Sequence, residues 1–173
     1  MKKWTIDATH SEISFSVKHM MISNIKGSFT SYEANVEANE ENLQGASIDF
    51  KIDVASINTN NSDRDQHLLS ADFFNAEQFP HITFTANDIV KKDNDYELTG
   101  DFTMKNITRP TTFKVAYGGK GTNLWGNEIV AFTVAGKINR QDFGLTWNQA
   151  LEAGGVMVGE DIKITLELQG TPA

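Results

Sequence analysis

The sequence predicts an all-β fold, an eight-stranded antiparallel β-barrel with a short helical insertion at about residues 62–74 capping one end. Three observations predict it. Apolar and polar residues alternate along most of the chain, and a period of two is the signature of a strand with one wet face. The runs are joined by short turn-forming stretches, so neighbouring strands are antiparallel. One capped helical stretch interrupts the pattern. Strands of this length leave costly free edges, which closure into a barrel removes.

Taken in order, the alternating runs fall near residues 11–20, 27–38, 43–54, 82–90, 96–104, 111–118, 128–138 and 161–169. In the first, Ile13, Phe15 and Val17 interleave with Ser14, Ser16 and Lys18. In the third, Ile48, Phe50, Ile52 and Val54 interleave with Ser47, Asp49, Lys51 and Asp53. In the last, Ile162, Ile164, Leu166 and Leu168 interleave with Asp161, Lys163, Thr165 and Glu167. Lys92-Asp93-Asn94-Asp95 and Gly118-Gly119-Lys120-Gly121 read as hairpin tips, and Gly154-Gly155-Val156-Met157-Val158-Gly159 as a loop. Ser62, with Asp65 three residues later, resembles a capping box, and Leu68, Leu69 and Ala71 continue the helical turn. So short a helix holds only by packing, which suits a lid across one barrel mouth. Residues 1–173 form a single domain, with no linker or repeat.

Composition excludes several classes. Lys+Arg 15 against Asp+Glu 23 gives a net charge of −8 with no basic run, which argues against nucleic acid and anionic membrane surfaces as general partners. No apolar run approaches the ~20 residues of a membrane span. The absence of cysteine removes disulfides, thiolate chemistry and sulfur-ligated metals. After Lys2 and Lys3 no apolar stretch of signal-peptide kind follows, so the expectation is a cytoplasmic protein.

The inward rows carry many large flat residues, among them Phe15, Phe29, Phe50, Phe84, Phe102, Phe113 and Phe132. Eight strands enclose a volume that side chains fill or that holds one small ligand, and both readings stand. No two of His10, His19, His67 and His81 have zinc-site spacing; His10 and His67 are expected to make buried hydrogen bonds tying loop to helix. Arg64, Arg109 and Arg140 lie at element ends, where ion pairs fixing register are expected. The alternative is that one arginine faces the cavity mouth and grips an anionic head group. No nucleophile elbow, phosphate-cradling loop or dinucleotide fingerprint is present, so no catalytic residue, metal or cofactor is assigned.

The series Trp4-x-Ile6-Asp7-x-x-His10-Ser11-x-Ile13-x-Phe15-x-Val17-x-His19 resembles the opening of the YceI-like family. So do Gly27-x-Phe29, Arg64-Asp65-x-His67-Leu68, Asp72-Phe73-Phe74, Phe79-Pro80-x-Ile82-x-Phe84, Thr108-Arg109-Pro110 and Arg140-x-Asp142-Phe143-Gly144, in order over nearly the whole chain. The resemblance implies a lipocalin-like eight-stranded barrel, often dimeric, that binds amphiphiles with long isoprenoid or acyl chains. Many members carry a secretory leader, which this sequence does not display, and the family has no agreed enzymatic activity. The expected function is therefore a non-catalytic carrier of a polyisoprenoid, quinone or fatty-acyl amphiphile, with a homodimer as the assembly. The tail is expected along Phe15, Val17, Phe29, Phe50, Ile52, Phe74, Phe84, Phe102, Phe113 and Phe132, and the head near His19, Arg64 and His67. Two other readings are an enzyme acting on a lipid-like substrate through His67, His10 or Arg64, and a packed barrel with only a stress or interaction role.

Overall fold

The chain is described from a computed structural model over residues 2–39, 42–148 and 158–173. The described residues form eleven strands: β1 (Lys2–Ile6), β2 (Glu12–His19), β3 (Ser23–Phe29), β4 (Tyr32–Asn39), β5 (Asn42–Asp53), β6 (Ile57–Asn58), β7 (His81–Lys92), β8 (Asp95–Met104), β9 (Ile107–Thr122), β10 (Glu128–Asn139) and β11 (Val158–Pro172). Among the described residues one α-helix, α1 (Ser62–Leu69), lies between β6 and β7.

Neighbouring strands pair antiparallel in the order β1-β4-β5-β7-β8-β9-β10-β11, and β11 returns to β1, which closes an eight-stranded ring. Closure leaves these strands without a free edge on either side of the ring. The expected barrel is observed. Three of its staves are longer than one strand. β11 pairs with β1 through Trp4↔Pro172 and with β2 through Ile13↔Leu166, so β1 and β2 form one stave interrupted by a 3-10 turn at Ala8–His10. β3 and β4 form the next, broken at residues 30–31, and β5 and β6 the third, broken by a 3-10 turn at Val54–Ser56. The breaks lie side by side and are stitched by short polar side chains. Asp7 accepts from the Thr9 amide at 3.0 Å, Ser31 donates to Asp53 at 2.5 Å, and Ser56 donates to the Asp53 carbonyl at 2.7 Å. Such side-chain bonds offer the backbone an alternative to the ladder, so the staves bend here.

Three sequence expectations are corrected. The helix ends at Leu69, not near residue 74, because Ser70 takes an extended backbone and turns its hydroxyl back onto the His67 carbonyl. Its cap is Asn61, whose side chain accepts from the Arg64 amide at 3.0 Å, rather than Ser62. Residues 118–121 are not a hairpin tip but the end of β9, whose register against β10 shifts at Ala131/Phe132 where Gly119 takes φ +114°. The tip lies at 123–127, where the Asn123 side chain accepts from the amides of Trp125 and Asn127. Asp93-Asn94 is a two-residue hairpin as expected. The loop expected at 154–159 lies outside the described residues except for Val158 and Gly159, which begin β11.

The core is the barrel interior. Phe rings meet there across the interior, Phe84 of β7 with Phe113 of β9 at 5.2 Å and Phe102 of β8 with Phe113 at 6.4 Å, within the range of favourable aromatic pairs.

Candidate functional site

The barrel interior contains two apolar cavities in series. The larger, about 130 Å³ for the centres of water-sized spheres, lies toward α1. Its wall includes Phe15 and Val17 from β2, Phe29 from β3, Ile52 from β5, Phe84 from β7, Phe102 from β8 and Phe113 from β9. Leu68, Phe73 and Phe74 close it from the lid. The smaller, about 80 Å³, lies at the far end, walled by Trp4, Val36, Leu43, Ile89, Val130, Phe132 and Leu168 among others. Phe50, Leu98 and Val134 line both cavities and form a waist between them.

Glycine explains why so many phenylalanines line the space rather than fill it. Phe15 sits directly across from Gly27, and a β-carbon on Gly27 would fall 2.5 Å from Phe15 Cζ. A β-carbon on Gly136 would fall equally close to Phe113 Cδ1. Each ring lies over a bare patch of the neighbouring strand, flat against the wall, as aromatics do over strand glycines.

The lid is seated by two clusters. Thr59, only 3% exposed, is the hub of the first. Its hydroxyl donates to Asp65 at 2.5 Å and accepts from Arg64 Nε at 2.8 Å, while Arg64 Nη2 donates to the Thr59 carbonyl at 2.7 Å. The second is aromatic: His67 meets Phe73 and Trp147 edge-on, each at 5.0 Å, and its Nε2 lies 2.9 Å from Asp72. Phe73, held this way, points into the larger cavity.

Arg140 is the cation of the cavity wall. It is 2% exposed and donates to three carbonyls: Leu145 at 2.6 Å, Gly159 at 2.8 Å and Val158 at 3.3 Å. Asn148 Nδ2 donates to the Val158 carbonyl at 2.8 Å, and its Oδ1 accepts from the Val158 amide at 3.0 Å. Together they fasten the start of β11 to the segment after β10. Burial pushes the Arg140 guanidinium below its ordinary value, and the charge of Glu160 works against that shift.

Nine of the ten apolar residues assigned to the tail line the larger cavity: Phe15, Val17, Phe29, Phe50, Ile52, Phe74, Phe84, Phe102 and Phe113. Phe50 also borders the smaller one, where Phe132 lies. The three polar residues assigned to the head lie elsewhere. Arg64 and His67 belong to the lid clusters, and His19 ends β2 beside Val158. His10 and His67 make local, exposed bonds to Asp7 (2.7 Å) and Asp72 rather than buried ones, because each aspartate is only a turn away in sequence. The arginines do not form the expected ion pairs among the described residues. Arg109, like the other two, donates to a carbonyl, that of Asp142 at 3.3 Å. The tail assignment left out Leu98, Val134 and Leu166, although Leu166 stands in an alternating run, and Arg140, read as an element-end arginine expected to form an ion pair, lines the cavity instead, because carbonyl partners leave no trace in a sequence. Among the described residues, no three His, Asp or Glu side chains converge as a metal site, and no helix is long and apolar enough to cross a membrane.

A third, wider space of about 310 Å³ adjoins the far cavity. It is lined by Leu43, Lys91, Asn94, Tyr96, Tyr117, Lys120 and Phe132, and shares Leu43 and Phe132 with that cavity.

The chain is similar to known proteins over its whole barrel. A UPF0312 protein of Staphylococcus aureus strain MSSA476 is 40% identical over 164 residues, 94% of each chain. Burkholderia cenocepacia BcnA has the same fold, with a TM-score of 0.82 at 23% identity over 95% of this chain and 98% of that one. A domain of Saccharophagus degradans described as polyisoprenoid-binding superposes with a TM-score of 0.69 at 14% identity over 100% of both. The model of the YceI-like domain matches residues 4–170, the whole ring from β1 to β11, and the chain belongs to that family.

Proposed function

We propose that this protein binds a long apolar chain of isoprenoid, quinone or fatty-acyl type inside the barrel and carries it without transforming it. The observation that carries the reading is the pair of apolar cavities in series, meeting at Phe50, Leu98 and Val134. A compact ligand needs one chamber, whereas two aligned chambers suit a chain. Burying each methylene is worth about 0.8 kcal/mol, so a tail of ten carbons offers about 8 kcal/mol before ordering costs. The polyisoprenoid-binding description of the Saccharophagus domain supports the ligand class. A carrier needs no reactive group in its wall, and the wall's polar side chains, Ser14, Asn39 and Arg140, include no base paired with a nucleophile.

Native mass spectrometry of the purified protein, with organic extraction and titration with prenols and fatty acids, tests this. The expected result is saturable one-to-one uptake of a long chain. Absence of saturable uptake across both series, by folded protein, would overturn the proposal.

A further inference from the structure

The hairpin that joins β9 to β10 carries its apolar side chains on the outside. Leu124 is 96% exposed and Trp125 80%. Single exposed apolar residues are ordinary, but here two stand side by side at the summit of a tip that is closed on itself. The Asn123 amide donates to the Asn127 carbonyl at 2.9 Å, and the Gly126 amide to the Asn123 carbonyl at 3.1 Å. The Asn123 side chain accepts from the amides of Trp125 and Asn127. The tip thus pairs the backbone donors of Asn123, Trp125, Gly126 and Asn127 without water. Gly126 takes φ +80°, which only a glycine adopts freely. From Gly121 to Asn127 no residue carries a charge, in a chain that is 22% charged. Beyond Val115, β9 has no partner on β8, while its ladder with β10 runs on to Thr122. The hairpin therefore stands beyond the charged β7–β8 turn at Asp93-Asn94.

The shape and chemistry of the tip select its partner. Two side chains fall far short of the about 800 Å² a side that a stable protein interface buries, and a convex tip offers no groove to a peptide. A bilayer surface needs neither. Trp and Leu settle at the boundary between lipid head groups and acyl chains. A backbone enters that layer only with its donors already paired, and a charge there is costly. The hairpin meets each condition. The net charge of −8 gives no attraction to anionic lipid, so the matching surface is a neutral one. The apolar tip at the lid end differs: Met20, Met21 and Ile22 are exposed too, but they follow directly on Lys18 and His19.

We propose that Leu124 and Trp125 dock the protein reversibly on an uncharged phospholipid bilayer, with the far end of the barrel turned toward it. Tyr117 and Phe132, which line the wider space beside the far cavity, belong to the same hairpin. Docking sets that space against the lipid, where apolar chains are held. This consequence rests on the chain-binding reading above, whereas docking itself requires no ligand in the barrel.

Cosedimentation of the full chain with phosphatidylcholine vesicles tests the proposal. The expected result is reversible partitioning that sodium chloride does not weaken and added phosphatidylglycerol does not strengthen. Leu124→Ser with Trp125→Ser should lower it about tenfold or more. Both side chains lie in solvent, so the variant keeps the fold, which thermal unfolding verifies. Met21→Ser with Ile22→Ser, at the opposite end, removes apolar surface of the same kind and should leave partitioning intact. Of the three tryptophans, Trp4 is buried and Trp147 packs against His67 and Phe73. Vesicles with brominated acyl chains should therefore quench emission from Trp125, and the quenching should vanish in the Leu124/Trp125 variant. No partitioning by the unaltered protein would overturn the proposal. So would partitioning that survives the Leu124/Trp125 substitutions, or an equal loss in the Met21/Ile22 variant. Loss of self-association in the Leu124/Trp125 variant, read by light scattering, would overturn it as well, since the tip would then cover a second copy of the chain. Prenol uptake without vesicles should be equal in this variant and the unaltered protein, so failure of docking and failure of chain binding are read apart.

Discussion

Val134 stands at the middle of the barrel, between Val115 and Leu166 on the flanking strands, and borders both cavities. Replacing it with tryptophan fills the waist without adding charge. The far cavity accounts for about two-fifths of the combined space of 80 and 130 Å³. A tail spanning both therefore loses about two-fifths of its buried length when the waist is shut. Each pair of methylenes is worth about 1.6 kcal/mol, or roughly fifteenfold in affinity. Titration with saturated fatty alcohols of increasing length gives the readout. In the unaltered protein affinity should climb steadily with length, and in Val134→Trp it should level off once one chamber is full. Overpacking should cost about 1–3 kcal/mol of stability, which thermal unfolding measures separately. A folded variant whose affinity climbs as steeply, and as far, as that of the unaltered protein would refute the idea that a chain threads the waist.

Arg140→Met keeps the volume but removes donors from three buried carbonyls, and should cost about 3–5 kcal/mol in urea unfolding. Asn61→Ala removes the helix cap and should cost about 1 kcal/mol, with faster hydrogen exchange at the Arg64 and Asp65 amides. Burial raises the Tyr32 hydroxyl above its ordinary value of 10.0, with Asp7 adding to the rise and Ser11 opposing it. A raised value means the folded state holds the proton more tightly. This contribution is therefore complete below the unfolded value and is lost as pH rises through the folded one. Tyr32→Phe should accordingly lose less stability than the unaltered protein between neutral pH and pH values above about 10, measured by chemical denaturation.

The staves and the inward faces of the phenylalanines were legible because a closed antiparallel sheet imposes a period of two on every strand it contains. Phe15, Phe50 and Phe84 could be assigned to the interior from their neighbours alone. What depended on stagger was not legible. The waist exists because Phe50, Leu98 and Val134, far apart in sequence, come level with one another, and only the register of the ladders sets that level. Glycine hid the end of β9, since residues without side chains carry no alternation, and Lys120 was read as part of a turn. The lid residues Arg64, Asp65 and His67 stood out as a group, but a cluster of charged side chains looks the same in sequence whether it grips a ligand or a threonine. Thr59, which Arg64 and Asp65 share, is a lone threonine with nothing in the sequence to mark it as a hub.

Joining β1 to β11 has a consequence for how the molecule is made. Trp4 pairs with Pro172 and Phe15 with Ile164, so the first stave finds one of its neighbours only when the last has left the ribosome. At about 5–20 residues per second, the interval is about ten to thirty seconds. During that time β2 can pair with β3, but its other edge, carrying Ile13, Phe15 and Val17, stays open to stray strands. Nascent chains of this protein should accordingly depend on chaperones until β11 has emerged, and fold slowly for their size because the closing contacts are the most distant in sequence.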